Sequence, residues 1–298
     1  MGEVLAVIID GIIYSSWLFI TALGLTLVYG VMKILNMAHG SLYALGAYAA
    51  ASLGGRWLAA GHSPWGSYAV LLLAALTVGL IAGPLIERSI LRFMYGREEI
   101  VLVLATYALF LILEDVIKLI WGVDPYFLSE PYGLLGSIEL GGLSYPLYNA
   151  ALLVVSVVTG GLLAWSLGRT RRGKMLLAII HDREMSAALG MNVRRVYLIT
   201  FTLGATLAAI GGALTSPTVA VAPGIGVEVV VLAFAVVVIG GLGSFTGAAL
   251  GALIVGMVRS CAVHYLPQVE LFSIYVAMAL VLIVRPKRLF SGMEPRRI

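Results

Sequence analysis

Residues 169–217 read RTRRGKMLLAIIHDREMSAALGMNVRRVYLITFTLGATLAAIGGALTSP, and this stretch determines how the rest of the chain can be arranged. It opens with four basic residues, Arg169, Arg171, Arg172 and Lys174. After Gly190 it enters an apolar segment, about 196–216, that is long enough to cross the hydrocarbon core of a bilayer. Because Lys and Arg concentrate in cytoplasmic loops, the basic segment is expected on the cytoplasmic side. Its length and the break at Gly190 favour a docking loop for a soluble partner over a simple turn.

The composition indicates a protein whose main solvent is lipid. Of the 298 residues, 61% are hydrophobic and 11% are charged, and the mean hydropathy is +1.03. A soluble domain carries about 25% charged residues, so this chain has too few to cover a water-facing surface. The net charge of +4 comes from short basic blocks between apolar segments, which is a pattern of membrane orientation and not of nucleic-acid binding. The single cysteine, Cys261, excludes an internal disulfide.

Nine apolar segments are candidates for membrane-spanning helices. They cover residues 5–32, 37–55, 65–87, 99–120, 146–167, 196–216, 227–243, 246–263 and 269–285. The segment at 37–55 and the pair within 227–263 are short enough to be broken or re-entrant instead of simple crossings. The chain is therefore predicted to be an all-α, polytopic membrane helix bundle with eight or nine transmembrane helices, forming one domain over residues 1–298.

Charges in the connecting segments predict the orientation of the helices. Three arginines follow the third apolar segment, Arg88, Arg92 and Arg97. Other basic groups lie in the docking loop at about 169–195 and after residue 284, whereas the long loop at 122–146 has no Lys or Arg. The basic segments are therefore expected inside and the 122–146 loop outside. Nine crossings place the N-terminus outside and the C-terminus inside, whereas eight would leave one segment that dips into the membrane and returns.

A polar group interrupts the apolar sequence between the first two segments. Lys33, Asn36 and His39 lie there, and polar side chains at membrane depth are costly unless they are paired or face water. The favoured interpretation makes residues 33–36 a cytoplasmic turn in which the Asn36 side chain caps the next helix. The alternative places Asn36 and His39 along a polar translocation path. One histidine without neighbouring Cys, Asp or Glu residues is not a ligand set, so no metal site is predicted.

Glycines punctuate the apolar run at 237–260, among them Gly240, Gly241, Gly243, Gly247 and Gly251. A dinucleotide-binding fingerprint would need a preceding strand and a βαβ unit, which the membrane helices on both sides exclude. The glycines instead predict a sharp helix break and close contact with helices of the first half of the chain.

Several charges stand alone within apolar surroundings, namely Asp10, Glu114, Asp115, Lys118 and Glu228. Glu114 and Lys118 are four residues apart, in the order that favours an ion pair on a helix. Glu228 follows an irregular segment with Pro and Gly, so it is expected either to begin the next helix or to line a substrate vestibule. No Ser/His/Asp set, paired carboxylates or metal cluster is recognisable, and the sequence therefore predicts no catalytic residues.

The docking loop contains a short helix by sequence. Residues 182–189, DREMSAAL, can form a helix that Gly190 ends as a C-cap. Met185, Ala188 and Leu189 are expected on one face, and Arg183 and Glu184 on another. One interpretation rests this helix on lipid headgroups, and the other places it in a groove of a soluble subunit.

Three motifs together resemble a known family. NMAHG at 36–40, HDREMSAALGMNVRRV at 181–196 and AFAVVVIGGLGSFTGAALGA at 233–252 are similar to the branched-chain amino-acid ABC transporter permeases, and most to their H-type subunit. The likeness covers nearly the whole chain. Met37 and Thr246 stand where the family often has Phe and Pro.

The resemblance implies a subunit of a bacterial or archaeal inner-membrane importer. Its partners would be a homologous second permease, two cytoplasmic ATPase subunits and an extracytoplasmic solute-binding protein. ATP would be bound by the ATPases, so this chain would need no cofactor of its own and would not be an enzyme. The absence of a P-loop motif agrees with that division of labour.

The resemblance also implies a role for the docking loop, and a second group of residues is expected to line the translocation path. The docking loop would be the coupling helix, with Asp182, Arg183, Glu184, Ala187, Leu189, Gly190 and Met191 at the ATPase contact. Residues expected along the translocation path are Asn36, His39, Gly40, Glu228, Gly240, Gly241 and Gly243.

The substrate class implied is leucine, isoleucine and valine. Related permeases for urea, amides or other amino acids share these motifs, so they are the alternative. An ion-coupled secondary transporter is a further alternative, although its ionisable residues would be expected at mid-membrane depth and not near helix ends.

Overall fold

The computed structural model describes residues 2–140 and 142–284 of the chain. The first half contains α1 (Gly2–Met32), α2 (His39–Ala59), α3 (Gly66–Ile86), a π-helical segment (Glu87–Leu91), α4 (Arg92–Met94), α5 (Glu99–Trp121) and α6 (Glu130–Gly133). An antiparallel hairpin follows, β1 (Ser137–Leu140) and β2 (Leu143–Pro146), with Ile138 opposite Tyr145. The basic tail used above to predict orientation lies outside the described residues.

The described elements of the second half are helices joined by loops, with an isolated β-bridge at Val221. This half contains α7 (Leu147–Arg169), α8 (Arg171–His181), α9 (Arg183–Ala188), α10 (Val193–Thr215), α11 (Ile225–Gly240), α12 (Phe245–Tyr265), a 3-10 turn (Pro267–Val269) and α13 (Glu270–Val284). Each of the nine apolar segments predicted from the sequence contains one long helix. The all-α polytopic fold is thereby confirmed.

Six of these helices, within the described residues, are long and apolar enough to cross a membrane by themselves. They are α1, α3 together with its continuation to Met94, α5, α7, α10 and α12. The other three long helices, α2, α11 and α13, are shorter or less apolar than such a span requires. Their position in the bilayer therefore depends on packing against neighbouring helices and not on lipid alone.

α10 lies at the centre of the bundle and packs against α1, α2 and α3. Small residues allow these helices to approach closely, because Gly46 lies against the backbone of Ala209 and Gly212 lies against the backbone of Tyr43. Tyr43 and Phe201 are almost completely buried between them. The Tyr43 hydroxyl is hydrogen-bonded to the side chain of Thr215, so the polar end of the ring is satisfied inside the bundle.

The connection from α1 to α2 is not the cytoplasmic turn that the sequence suggested. The side chain of His39 contacts the carbonyl of Thr21 at 2.8 Å, and Thr21 lies eleven residues, or roughly 16 Å, before the end of α1. Thr106, inside α5, donates to the Leu35 carbonyl at 3.1 Å and accepts from the Met37 amide at 3.2 Å. Residues 33–38 therefore run back along α1 in a non-helical conformation, and α2 begins beside Thr21 and Gly24 of α1.

The proposed capping role of Asn36 is wrong for the same reason. The N-cap of α2 is Ala38, and no side chain makes a capping hydrogen bond there. The Asn36 side chain is completely buried, and neither of its polar atoms has a hydrogen-bond partner in the described structure. The backbone of residues 33–38 forms its side-chain hydrogen bonds with Thr106 of α5 and not with Asn36.

The glycine-rich run does break the helix as predicted. α11 ends at Gly240, α12 begins at Phe245, and the turn between them contains Gly241 with φ of 97°. That left-handed conformation favours glycine because it has no Cβ. The Ser244 side chain caps α12 by accepting a hydrogen bond from the Gly247 amide at 3.0 Å. Gly243 approaches Gly30 of α1, which is the predicted contact with the first half of the chain.

The predicted pair of Glu114 and Lys118 does not form. Lys118 contacts Asp115 at 3.2 Å instead, and both of these side chains are exposed to solvent or lipid. Glu114 is turned inward, 7% exposed, and its carboxylate lies beside the backbone at Gly224 and Gly226, at the start of α11. The positive end of the α11 dipole favours a carboxylate at this position, so tertiary packing overrides the local pair.

Candidate translocation cavity and docking helix

A cavity of about 650 Å³ opens beside the region where α1, α7, α11 and α12 meet. Its apolar lining includes Trp17 of α1, Leu152 of α7 and Val219 of the loop between α10 and α11. Tyr43 and Thr215 contribute the polar contact described above. Ligand pockets typically have volumes of about 300–1,000 Å³ and this mixture of apolar walls with a few polar groups, so the cavity is the candidate substrate site.

Charged side chains of both signs line this cavity, namely Asp10 of α1, Glu228 of α11 and Arg259 of α12. The Arg259 guanidinium forms an ion pair with Glu270 and lies over the Tyr14 ring, 4.0 Å from its centroid. Such stacking of a guanidinium on an aromatic face is favourable, more so when both are partly desolvated.

Asp10 lies close to side chains of two other elements, α12 and the β1–β2 hairpin. Its carboxylate lies 3.4 Å from Nε2 of His264. Burial, followed by the Asp10 carboxylate, raises the pKa of Tyr145, which places the β1–β2 hairpin against α1 at this level. The hairpin of the 122–146 loop therefore lies beside the entrance of the cavity.

Among the residues predicted along the translocation path, only Glu228 lines this cavity in the described structure. Asn36 and His39 are completely buried beside α5 and α1. Gly40 packs against the carbonyl of Gly226, so its role here is close contact between α2 and α11. Gly240, Gly241 and Gly243 lie at the other end of α11, away from Glu228.

The structure also brings in residues that the sequence reasoning missed. Arg259 and Tyr14 were not singled out, although an arginine inside an apolar segment is itself a signal of a functional or paired site. Asp10 was noted only as an isolated charge. Their proximity depends on antiparallel packing of α1 and α12, where Ser260 donates to the Val7 carbonyl at 2.7 Å.

The docking loop folds as two short helices. Thr170 caps α8 by accepting from the Gly173 amide at 3.0 Å, and Asp182 caps α9 by accepting from the Met185 amide at 2.8 Å. Gly190 follows α9 with φ of 83°, and its amide donates to the Ala187 carbonyl, so it has the predicted C-cap role.

Apolar side chains of the docking loop are exposed in this chain. Met185 is 58% exposed and Leu189 is 74% exposed, while Ser186 faces inward and is buried. Asp182, Arg183, Glu184 and Ala187 are exposed as well, and Met191 is partly buried against the bundle. An exposed apolar face on a capped helix is the geometry of a helix that enters a groove on a partner.

A row of aromatic contacts joins the docking loop to α3. The Arg183 guanidinium lies 5.6 Å from the centroid of the Tyr197 ring, and Tyr197 contacts Tyr95 edge to face with centroids 4.9 Å apart. The Tyr95 hydroxyl donates to the Glu87 carboxylate at 2.6 Å. Glu87 begins the π-helical segment and is 2% exposed. Single π-helical turns are frequent at functional sites of helices.

Within the described residues, no group of three or more His, Cys, Asp or Glu side chains is placed to hold a metal ion.

The helix bundle, the partly charged cavity and the exposed helix α9 of the docking loop define a multi-pass membrane transport subunit. The chain matches the family model described as "Branched-chain amino acid transport system / permease component" over residues 7–284. It therefore belongs to this family of ABC transporter permeases and is a multi-pass protein of the cytoplasmic membrane.

Individual relatives cover almost the whole chain. It is 26% identical over 295 residues to the high-affinity branched-chain amino acid transport system permease protein LivH of Salmonella typhimurium, covering 97% of this chain and 96% of that protein. It is 31% identical over 279 residues to the probable branched-chain amino acid transport permease protein LivH of Methanocaldococcus jannaschii, covering 89% and 83%.

A solved structure has the same general fold. PsaBC from Streptococcus pneumoniae in complex with Fab matches with a TM-score of 0.50, and the match covers 92% of this chain and 89% of that chain. The sequences are 11% identical, so this likeness concerns the fold alone.

Proposed function

We propose that the chain is a membrane-spanning subunit of an ATP-driven importer that translocates branched-chain amino acids. Family membership over residues 7–284 is the observation that carries this proposal. Leucine, isoleucine and valine are the substrates of the proposal, and an extracytoplasmic solute-binding protein delivers them. Apolar cavity walls at Trp17, Leu152 and Val219 suit branched aliphatic side chains.

The proposed partners are a homologous second permease and two cytoplasmic ATPase subunits. The exposed side chains of Met185 and Leu189 on the capped α9 support docking into an ATPase groove. In this proposal the chain itself binds no cofactor and catalyses no reaction, because the ATPases bind and hydrolyse ATP.

The proposed mechanism couples two states of the bundle. Closure of the ATPase pair moves α9, and the permease helices change between outward and inward access. The substrate needs only a small difference in affinity for the two states, because ATP binding and hydrolysis supply the bias. The cavity described here opens beside the 122–146 loop and the hairpin, on the side expected to face outward.

The first test is mild-detergent co-purification, followed by reconstitution of the complex with its binding protein in proteoliposomes. We expect uptake of radiolabelled leucine with ATP inside the vesicles, none with ADP, and no inhibition by excess urea. An ionophore that collapses ion gradients should leave the uptake unchanged. Purification of the chain without an ATPase, together with ionophore-sensitive uptake, would refute the proposal in favour of a secondary transporter.

A charge reversal in α9 tests the coupling of transport to ATP hydrolysis separately from folding. Glu184→Arg is expected to reduce leucine uptake while ATP hydrolysis and membrane insertion continue. Glu130→Arg is the matched control, because Glu130 is also exposed in the first turn of a short helix but lies in the outer loop. Equal uptake by the two variants would contradict the docking role of Glu184.

A further inference from the structure

Glu228 differs from the other charged residues of the cavity in having no partner. It lies in the first turn of α11 and is exposed, and its side-chain carboxylate makes no hydrogen bond or ion pair with any described residue. Asp10, in contrast, is in contact with His264, and Arg259 is paired with Glu270. The Glu228 carboxylate is thus free to bind a cation that enters the cavity.

Arg259 offers the opposite charge in a restricted position. Its guanidinium is held between the Tyr14 ring and the Glu270 carboxylate, and its side chain is 27% exposed. A guanidinium has five N–H donors in a rigid plane, so a pair with one carboxylate leaves others able to donate to a second. The pairing therefore orients Arg259 without using up its donors.

Apolar and aromatic side chains form another part of the cavity lining. Ile13, Trp17 and Leu152 line the same cavity, so a branched aliphatic group could be desolvated while the charged groups are bound. A ligand complementary to the Glu228 carboxylate, the Arg259 guanidinium and the apolar lining would carry one positive charge, one negative charge and a compact apolar side chain.

We propose that this cavity is a binding subsite for the zwitterion of an α-amino acid, with the ammonium at Glu228, the carboxylate at Arg259 and the aliphatic side chain against Trp17. The assignment rests on the proposed function and deepens it, because it names the groups that select the substrate inside the permease. It also separates amino acids from neutral ligands such as urea, which would leave both charges unpaired.

The test measures occupancy of the cavity directly in the reconstituted complex. In a Cys261→Ser background, Ala222→Cys places one thiol in the cavity lining, and Ser129→Cys places one in the exposed outer loop as a control. The rate of labelling by a small methanethiosulfonate reagent is followed with added leucine, isocaproate or isoamylamine. Isocaproate lacks the ammonium of leucine, and isoamylamine lacks its carboxylate.

We expect leucine to slow labelling at position 222 and not at position 129. Each analogue should require roughly tenfold higher concentration than leucine, because one charge-assisted hydrogen bond is lost. Glu228→Gln should remove the difference between leucine and isocaproate, and Arg259→Gln should remove the difference between leucine and isoamylamine. Arg259→Lys keeps the charge, so it should preserve part of that difference even if loss of the Glu270 pair destabilises the Gln variant.

Two results would overturn the assignment. The first is absence of protection by leucine at position 222 in a complex that still imports leucine with ATP, which would leave the proposed function intact. The second is equal protection by leucine, urea and both analogues, which would mean that the charges do not select the ligand. Failure of ATP-driven leucine uptake in the unmutated complex would instead refute the proposed function itself.

Discussion

Removing the hydroxyl group of Tyr95 is expected to loosen the contact between the docking loop and α3. In Tyr95→Phe the Glu87 carboxylate loses a 2.6 Å hydrogen bond, while the edge-to-face packing of residue 95 on Tyr197 is kept. Glu87 is 2% exposed, so water does not readily replace the lost donor. Burial, and then the hydrogen bond to Glu87, raises the pKa of Tyr95, so the hydroxyl remains a donor throughout the neutral pH range.

The expected magnitude follows from the charge of the acceptor. A hydrogen bond to a charged group contributes about 1.5–3 kcal/mol, which corresponds to a change of roughly 10- to 150-fold in a local opening equilibrium. Amide hydrogen exchange of residues 87–95 in the reconstituted complex should therefore accelerate by that factor. If the contact transmits the movement of α9, the number of leucine molecules imported per ATP hydrolysed should also fall.

The matched control is Tyr107→Phe. Tyr107 is 46% exposed, its ring stacks on Phe110, and its hydroxyl makes no hydrogen bond in the described part of the chain. The same chemical change there should alter neither exchange nor transport. Exchange in Tyr95→Phe no faster than in Tyr107→Phe would refute the structural reasoning, and faster exchange with unchanged leucine per ATP would refute the coupling role alone.

Three further changes test other parts of the fold. Gly40→Val should greatly reduce the yield of folded protein, because a Cβ at this position would collide with the Gly226 carbonyl. Gly55→Val is the control and should be tolerated, since no atom lies within 4 Å of a Cβ at that position, and equal yields of the two variants would contradict the close packing at Gly40. Asp182→Ala should cost about 1 kcal/mol of local stability and accelerate amide hydrogen exchange of residues 183–188 about fivefold. Unchanged exchange would mean that the N-cap does not stabilise α9. Asn36→Leu should maintain or raise the thermal unfolding temperature, because the side-chain amide of Asn36 has no hydrogen-bond partner to lose. Transport should fall if the Asn36 side chain contacts substrate in another state of the cycle, and a large loss of stability would contradict the absence of a partner.

The helices themselves could be predicted because lipid imposes a simple rule on the sequence. In hydrocarbon, the backbone N–H and C=O groups of a segment must form their hydrogen bonds with each other, so each long apolar stretch becomes a helix. The C-cap at Gly190 was predicted, since it depends on residues a few positions apart. The N-cap role of Asp182 is equally local, but Asp182 was expected inside the helix. The break at Gly241 was predictable for the same local reason.

Side-chain partners that come from distant segments were not predictable. Asn36 was expected to cap α2, but Thr106 satisfies the backbone there from 69 residues or more along the chain. Glu114 was expected to pair with Lys118, but the N-terminus of α11 draws it inward. The cavity charges at Arg259 and Glu228 come together only through helix packing, which the sequence pattern does not encode.

The weak apolarity of α2 has a consequence for how the protein is made. α2 is not among the helices apolar enough to cross a membrane alone, and its residues are buried against α10, for example at Gly46 and Ala209. Tyr43 and Thr215, which are hydrogen-bonded in the finished protein, are separated by 172 residues. At a synthesis rate of roughly 5–20 residues per second, α10 emerges about 10–35 s after α2.

During that interval the nascent chain has no partner for the small and polar face of α2. A translocation channel that selects segments by apolarity should release α1 into lipid and retain α2 at the channel or at the membrane surface. Stable insertion of α2 then waits for α10, so the topology of the first half is completed by the second. Ribosome-bound chains stalled before residue 193 should therefore expose α2 to water-soluble probes, whereas chains extended beyond residue 215 should protect it.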